Sequence, residues 1–298
     1  SALIYVARAL AASWMNVRVF CNCDKPGEYD GIRYGDLVDF HMYRQFNSFP
    51  IIISSRSLRP FKIALQTQTR ILWIHDDINV KYLEGETPNT LPIDRIFAVS
   101  RWQRDEWSHY FHIKQDRFFL TRNGVDLTMF KPGAQRERHR LVYVSRPERG
   151  LDVLLKLFPI IRNRIPTAEL HLYTYYSPGE KSIDEIWRHT QQPGVYIKGC
   201  LTKSSLAGEM ASARLMVYPS TFRETSCIAA IEAQASGTPV IASTIAALSE
   251  TVVDGVSGCL VPGEPGTDEF GRRFAETVIT LLNDDISWQR ISQNARSR

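Results

Sequence analysis

The second half of the chain alternates short apolar strands with helical segments, and this alternation limits its fold more than any other feature. Runs rich in β-branched and aromatic residues indicate strands at residues 141–145, 168–174, 194–199, 214–220 and 238–243. Segments with apolar residues at helical spacing separate most of these strands. Strands joined by helices pair in parallel through right-handed crossovers. We therefore predict a doubly wound parallel sheet over residues 141–298, with ligands beyond the carboxyl ends of its strands.

The helix and strand patterns of the first half predict a second α/β domain over residues 1–130. An amphipathic helix opens it, and strand patterns follow at residues 16–22, 50–54, 71–76, 95–100 and 117–124. Residues 131–140 (KPGAQRERHR) have no apolar periodicity and contain Pro132 and Gly133, which indicates an interdomain linker. We interpret its basic cluster, Arg136, Arg138, His139 and Arg140, as a solvated part of that linker.

Composition excludes several classes of protein. With 44% hydrophobic and 23% charged residues, the chain of 298 residues has the balance of a soluble globular protein large enough for two domains. A net charge of +4 suits an anionic ligand and leaves open loose contact with an acidic membrane surface. The sequence has no basic stripe with interleaved aromatic residues, so nucleic-acid binding is not indicated. Five scattered cysteines, and the absence of a signal-peptide pattern around Arg8, predict a cytoplasmic protein.

The segment from Tyr218 to Gly263 contains the most informative pattern. A loop with Glu224 follows a strand, and a helix is predicted to begin near Thr225 or Ser226 and to end at Gly237. A helix N-terminus presents free backbone N–H groups and so favours an anion. Glu224 and Glu232 are a little over two helical turns apart, so they could bind separate hydroxyl groups of one long ligand.

This segment resembles the retaining glycosyltransferases of family 4, whose GT-B fold consists of two Rossmann-like, doubly wound domains facing across a cleft. The resemblance rests on two glutamates separated by seven residues, a Gly-Thr-Pro-Val turn and a later glycine-bounded loop. The matching residues are Glu224, Glu232, Gly237–Val240 and Asp254–Gly258. Asn123–Asp126 and Val144–Gly150 also fall in the order of the family, and the likeness covers about residues 55–298.

The resemblance implies a role for each candidate residue. It assigns the donor diphosphate to Arg146 and Arg149, the donor sugar to Glu224 and His75, and the nucleotide ribose to Glu232. Further donor contacts would come from Thr225, Ser226, Cys227 and Gly199. The residues alone leave alternatives open, because Arg146 could pair with Glu148, Glu232 could form a structural salt bridge, and His75 could be structural or bind a metal.

The resemblance implies a metal-independent transferase without a cofactor. It would move a hexose from a UDP- or GDP-sugar to a hydroxyl of a sugar, a lipid-linked glycan or a small molecule. Two alternatives stay open: a nucleotide-sugar-binding module without transfer activity, and a nucleotide-sugar epimerase of the same fold. The sequence contains no counterpart of the strand and glycine-rich loop with which the family opens. No Gly-x-Gly-x-x-Gly follows a predicted strand, which disfavours a nicotinamide dehydrogenase.

Overall fold

The chain forms two compact units, residues 1–123 and residues 124–298. The computed structural model describes residues 2–78, 87–133, 135–175 and 181–297. Within these ranges, every helix is too short or too polar to cross a membrane. Both units are α/β structures built around parallel strands, as the sequence predicts.

The N-terminal unit contains two sheets. Its strands are β1 (Arg18–Cys21), β2 (Gly27–Tyr29), β3 (Ile32–Asp36), β4 (Phe49–Ser55), β5 (Thr67–Trp73), β6 (Arg95–Ala98) and β7 (Phe118–Leu120). Its helices are α1 (Ala2–Ala12), α2 (Leu37–Phe46) and α3 (Arg101–Tyr110). One sheet has the order β1-β3-β2, with β2 antiparallel to β3, and the other is the parallel sheet β4-β5-β6-β7.

The predicted strands of this unit are confirmed, but the hairpin of β2 and β3 was not predicted. Tyr29 pairs with Ile32, so the loop has the two residues Asp30 and Gly31. Both have positive φ, 54° and 73°, as a tight hairpin turn requires, and Asp-Gly is a favoured pair there. The strands on either side are too short and too polar for a periodicity argument to find them.

The C-terminal unit is a single, entirely parallel sheet with helices between its strands. The strands are β8 (Arg140–Val144), β9 (Glu169–Tyr173), β10 (Val195–Ile197), β11 (Leu215–Tyr218), β12 (Val240–Ser243) and β13 (Gly258–Val261). The helices are α4 (Leu151–Arg164), α5 (Lys181–Arg188), α6 (Lys203–Ser212), α7 (Ile228–Ala235), α8 (Leu248–Thr251), α9 (Asp268–Asn283) and α10 (Asp285–Arg296). The doubly wound sheet is confirmed, and β13 adds a strand to the five predicted.

The order of this sheet, β10-β9-β8-β11-β12-β13, determines where a ligand can bind. From β8 the chain first builds outward to β10, and it then returns to place β11 on the other side of β8. The loops after β8 and β11 therefore diverge to opposite faces and leave a crevice between them. Such a switch point is the usual ligand site of an open α/β sheet.

Helix α4 shows how the core supports that crevice. Its apolar positions Leu151, Leu154, Phe158 and Ile161 are fully buried, and the helix packs against α9. Each such side chain contributes roughly 1.5–3 kcal/mol of apolar burial. The first turn of α4, directly after the β8 loop, is therefore held in place by the core.

Residues 131–140 lie within the C-terminal unit, which begins at Gly124. The backbone N–H of Glu137 donates to the carbonyl oxygen of Ser212 at 2.8 Å. The half-buried guanidinium of Arg136 donates to the carbonyl oxygens of Ala213 and Ser236. The segment has no apolar periodicity because it is fixed by polar contacts to the ends of helices.

Candidate active site

Arg149 and Glu224 form an ion pair across the switch point. Arg149 comes from the loop after β8 and Glu224 from the loop after β11, and Nη1 of Arg149 lies 2.9 Å from Oε1 of Glu224. The Glu224 side chain is only 8% exposed. Burial is the largest single effect and lowers the pKa of Arg149, but Glu224 and Tyr218 together outweigh it and the pKa is raised. A buried carboxylate is costly unless it is paired, and Arg149 supplies the partner.

Two buried tyrosines complete this polar cluster. The hydroxyl of Tyr218 donates to Oε1 of Glu224 at 2.5 Å and lies 3.3 Å from Oγ of Ser145. The hydroxyl of Tyr143 donates to the carbonyl oxygen of Arg146 at 2.7 Å. Burial is the main reason that the pKa of Tyr218 is raised, and nearby Cys227 and Glu224 raise it further. Both rings stay neutral and fix the geometry of the two loops.

Gly150 lets the two loops approach each other. It precedes α4 with a φ of 97°, a left-handed conformation. A Cβ at this position would lie 2.2 Å from the carbonyl oxygen of Pro219, at the end of β11. Only glycine fits both the conformation and the space, and this close approach brings Arg149 to Glu224.

Arg146 lies on the same loop but in a more open position. Its side chain is 58% exposed, and Nη1 is 3.6 Å from Oε1 of Glu148. Its guanidinium carbon lies 5.6 Å from the ring centroid of Tyr175, which follows β9. The surface ion pair with Glu148 is therefore present, and Arg146 also lies at the carboxyl edge of the sheet, where the sequence places a diphosphate-binding residue.

Helix α7 begins at Ile228, so the predicted helix start near Thr225 or Ser226 is wrong by two to three residues. The carbonyl oxygen of Glu224 accepts a hydrogen bond from the N–H of Ala247, and the helix N-cap is Cys227. Thr225 and Ser226 form a bend between Glu224 and this N-cap. The predicted C-terminal end is confirmed, because Gly237 has a φ of 68° after the last turn.

Cys227 lies between the two candidate carboxylates. Its thiol is buried, and burial is the main reason that its pKa is raised. Glu224 and Glu232 raise this pKa further, whereas Arg149 lowers it. The thiol is therefore within electrostatic reach of all three residues, and it stays protonated and unreactive.

Glu232 is the second buried carboxylate, and Lys203 is its partner. The Glu232 side chain is 6% exposed, and Oε1 accepts a hydrogen bond from Nζ of Lys203, the first residue of α6. Burial raises the pKa of Glu232 and Lys203 lowers it, with a net upward shift. The Lys203 side chain is 54% exposed, so this pair extends from the interior to solvent.

The two remaining predicted residues have different settings. Gly199 follows β10 with a φ of 73°, and a Cβ there would meet open space. His75 lies in the N-terminal unit, where it follows β5 and its ring centroid is 4.5 Å from that of Trp73. Burial, and to a lesser extent Arg56, lowers the pKa of His75 to about 4. His75 is therefore neutral at pH 7.

The structure also identifies residues that the sequence analysis missed. Tyr218 was noted only as the start of a segment, and Lys203 was not considered, although they are the hydrogen-bond partners of Glu224 and Glu232. The salt bridge that the sequence left open for Glu232 is present, but pairwise spacing could not name a partner 29 residues away. Across the described ranges, no group of three His, Cys, Asp or Glu residues has the geometry of a metal site.

Several known proteins are similar to this chain in sequence. Residues 138–284 match the model of the family described as glycosyl transferases group 1. A D-inositol 3-phosphate glycosyltransferase of Corynebacterium glutamicum is 29% identical over 223 residues, which cover 68% of this chain and 52% of that protein. A phosphatidyl-myo-inositol mannosyltransferase of Mycobacterium tuberculosis is 28% identical over 178 residues, covering 56% and 46%. The chain thus spans about half the length of these curated relatives.

Solved structures confirm the fold class. Sucrose-phosphate synthase from Thermosynechococcus elongatus superposes with a TM-score of 0.78 at 20% identity, over 99% of this chain and 87% of that one. The Anabaena protein HepE, solved with UDP-glucose, gives a TM-score of 0.76 at 16% identity, over 100% and 90%. At these identities the likeness concerns the fold, which is that of GT-B proteins.

Proposed function

We propose that this chain, whose residues 138–284 match the model of the glycosyl transferases group 1 family, is a retaining glycosyltransferase. It moves a hexose from a nucleoside diphosphate sugar to an acceptor hydroxyl. The observation that carries this proposal is the Arg149–Glu224 pair, which joins the two loops at the switch point of the parallel sheet. A cation and a buried carboxylate at this edge match the two parts of the donor, its diphosphate and its sugar.

The chemical demand of the reaction is the charge that develops on the departing diphosphate. The bond from the anomeric carbon to the diphosphate oxygen breaks, and its electron pair remains on the phosphate. Arg149 and Arg146 lie on one loop at the sheet edge, and α7 follows the β11 loop with the partial positive charge of a helix N-terminus. Such preorganised groups stabilise developing negative charge without rearrangement.

Arg149 can serve the diphosphate while it remains paired with Glu224. A guanidinium has five N–H donors, so one that binds Glu224 through Nη1 can also bind phosphate oxygens. The guanidinium carbon of Arg149 lies 4.0 Å from the ring centroid of Phe222, and this contact restricts the orientation of the guanidinium. Glu224, held by Arg149 and Tyr218, keeps its remaining oxygen lone pairs for sugar hydroxyl groups.

Glu232 is suited to the nucleotide part of the donor. Its carboxylate is fixed by Lys203, and a carboxylate can accept hydrogen bonds from both ribose hydroxyls. Cys227 lies within electrostatic reach of both carboxylates. We therefore place the sugar at Glu224 and the ribose at Glu232, with the diphosphate between them at the two arginines.

The proposal is tested by measuring nucleoside diphosphate release from UDP-hexoses and GDP-hexoses, with the product configuration read by NMR. UDP-glucose is the first donor to try, because the similar HepE structure contains it. Inositol phosphates and lipid-linked inositols are the first acceptors, because the names of two relatives include them. We expect transfer with retained anomeric configuration, undiminished in EDTA because arginines rather than a metal neutralise the phosphates.

Two other outcomes would replace this proposal. Nucleotide binding without sugar transfer to any acceptor would make the chain a nucleotide-sugar-binding module. Conversion of the donor hexose into its epimer would make it an epimerase. A chain that neither binds nucleotides nor releases them from any donor would contradict a donor site at Arg149 and Glu224.

A further inference from the structure

Arg136 connects the C-terminal ends of helices α6 and α7. Its Nη1 donates to the carbonyl oxygen of Ala213, the C-cap of α6, at 2.8 Å. Its Nη2 donates to the carbonyl oxygen of Ser236, the C-cap of α7, at 2.6 Å. The last carbonyl groups of a helix have no partners within it and carry partial negative charge. One guanidinium therefore satisfies and neutralises the ends of both helices.

Thr238 adds a second connection between the same helices. Its hydroxyl accepts from Nη1 of Arg136 at 2.8 Å and donates to the carbonyl oxygen of Met210, in the last turn of α6, at 2.6 Å. At Gly237, a Cβ would lie 2.9 Å from Nη2 of Arg136. Gly237 and Thr238, the first two residues of the Gly-Thr-Pro-Val turn, thus contact the Arg136 guanidinium directly.

Helix α10 covers the connection. The Trp288 ring lies with its centroid 5.3 Å from the guanidinium carbon of Arg136, and the hydroxyl of Ser292 donates to the carbonyl oxygen of Gly237 at 2.5 Å. Burial, with a contribution from Arg214, lowers the pKa of Arg136 to about 10. The guanidinium therefore stays charged at neutral pH.

The two helices that Arg136 joins are those that carry the Lys203–Glu232 pair. Lys203 is the first residue of α6, and Glu232 lies one turn before the C-cap of α7. We propose that Arg136 is a positioning residue that fixes the spacing of α6 and α7 and so holds the Glu232 carboxylate against Lys203. The link to donor binding rests on the proposed function, whereas the link to the ion pair does not.

The ion pair is tested by a double-mutant cycle. The coupling between Lys203→Ala and Glu232→Gln, measured by denaturant unfolding, is compared in the parent, R136K and R136A backgrounds. We expect the coupling to vanish in R136A and to be partly retained in R136K, which keeps the charge but not the planar fork. Unchanged coupling in both backgrounds would overturn the proposal. If R136A does not fold, the coupling measured in the R136K background alone decides whether the proposal holds.

Donor binding is tested by calorimetry with UDP, GDP and ADP. The control is R162A, which removes a comparable bond, from Nη1 of Arg162 to the carbonyl oxygen of Ala168, away from α6 and α7. We expect R136A to weaken the tightest nucleotide about tenfold, R136K to weaken it less, and R162A to leave it unchanged. Equal losses in R136A and R162A would overturn the positioning role. If the parent binds no nucleotide, the proposed function fails and the mutant cycle alone decides the role of Arg136.

Discussion

Nη1 of Arg149 lies 2.9 Å from Oε1 of Glu224, although the two residues are 75 positions apart in the chain. They meet because β8 and β11 are neighbours in the sheet and Gly150 lets the loops after these strands approach each other closely. The pair places a cation and a carboxylate, each held by further contacts, at the edge where α/β sheets bind ligands.

Removing either arginine of the β8 loop should reduce transfer. A hydrogen bond to a charged group is worth roughly 1.5–3 kcal/mol, so Arg149→Ala or Arg146→Ala should lower kcat/KM about ten- to a hundredfold. Steady-state kinetics with the best donor measure the effect. Arg273→Ala, which removes only a surface pair with Glu269, should leave kcat/KM unchanged. Full activity in both loop variants would refute the diphosphate assignment.

Replacing Gly150 should destabilise the C-terminal unit. In Gly150→Ala the new Cβ collides with the carbonyl oxygen of Pro219 and φ stays at 97°, which should lower the free energy of unfolding by on the order of 3 kcal/mol. The matched control is Gly208→Ala, on the exposed face of α6 with open space around it, which should gain up to about 1 kcal/mol. Urea unfolding measures both, and equal stabilities would contradict the close approach.

The stability of the chain should depend on pH through Glu232. Its pKa is raised from 4.5 by burial, against the opposing effect of Lys203, so the folded state holds the proton more tightly than the unfolded state. Its contribution to stability is therefore full below pH 4.5 and is lost as the pH rises through the folded pKa. Glu232→Gln should gain stability relative to the parent over that interval in denaturant unfolding. A relative loss as the pH rises would mean that Lys203 outweighs burial.

His75 should titrate with a pKa of about 4, because burial and the Arg56 charge disfavour the imidazolium. The folded pKa is depressed, so the contribution of His75 to stability is present above pH 6.5 and is lost as the pH falls through about 4. An NMR titration of the imidazole Cε1–H measures this pKa directly, and Arg56→Gln should raise it. A value near 6.5 would mean that the ring is solvated and would contradict its burial.

The sequence predicted the elements whose patterns are local. The strands of the C-terminal unit are short apolar runs between helices, and α4 repeats buried residues such as Leu151, Leu154 and Phe158 at helical spacing. The pattern around Glu224 and Glu232 indicated two carboxylates on one ligand path, and the structure buries both with cationic partners.

The sequence failed where long-range hydrogen bonds override local preference. Helix α7 starts at Ile228 because the loop before it is tied to Ala247 and Arg149. Arg136 looked like part of a solvated basic run, but its partners are backbone carbonyl groups 77 and 100 residues away. Carbonyl groups are present at every position, so no side-chain pattern could have identified them.

Nucleotide binding by the intact chain tests the donor site most directly. Thermal unfolding is recorded with UDP, GDP and ADP separately, beside a variant that combines Arg146→Ala with Glu232→Ala. A ligand at a hundred times its Kd stabilises by about 2.7 kcal/mol, and each kcal/mol raises Tm by roughly 2–4 °C in a chain of similar size. We predict that one nucleotide raises Tm in the parent and not in the variant. No shift with any nucleotide, or the same shift in both proteins, would contradict a donor site at these residues.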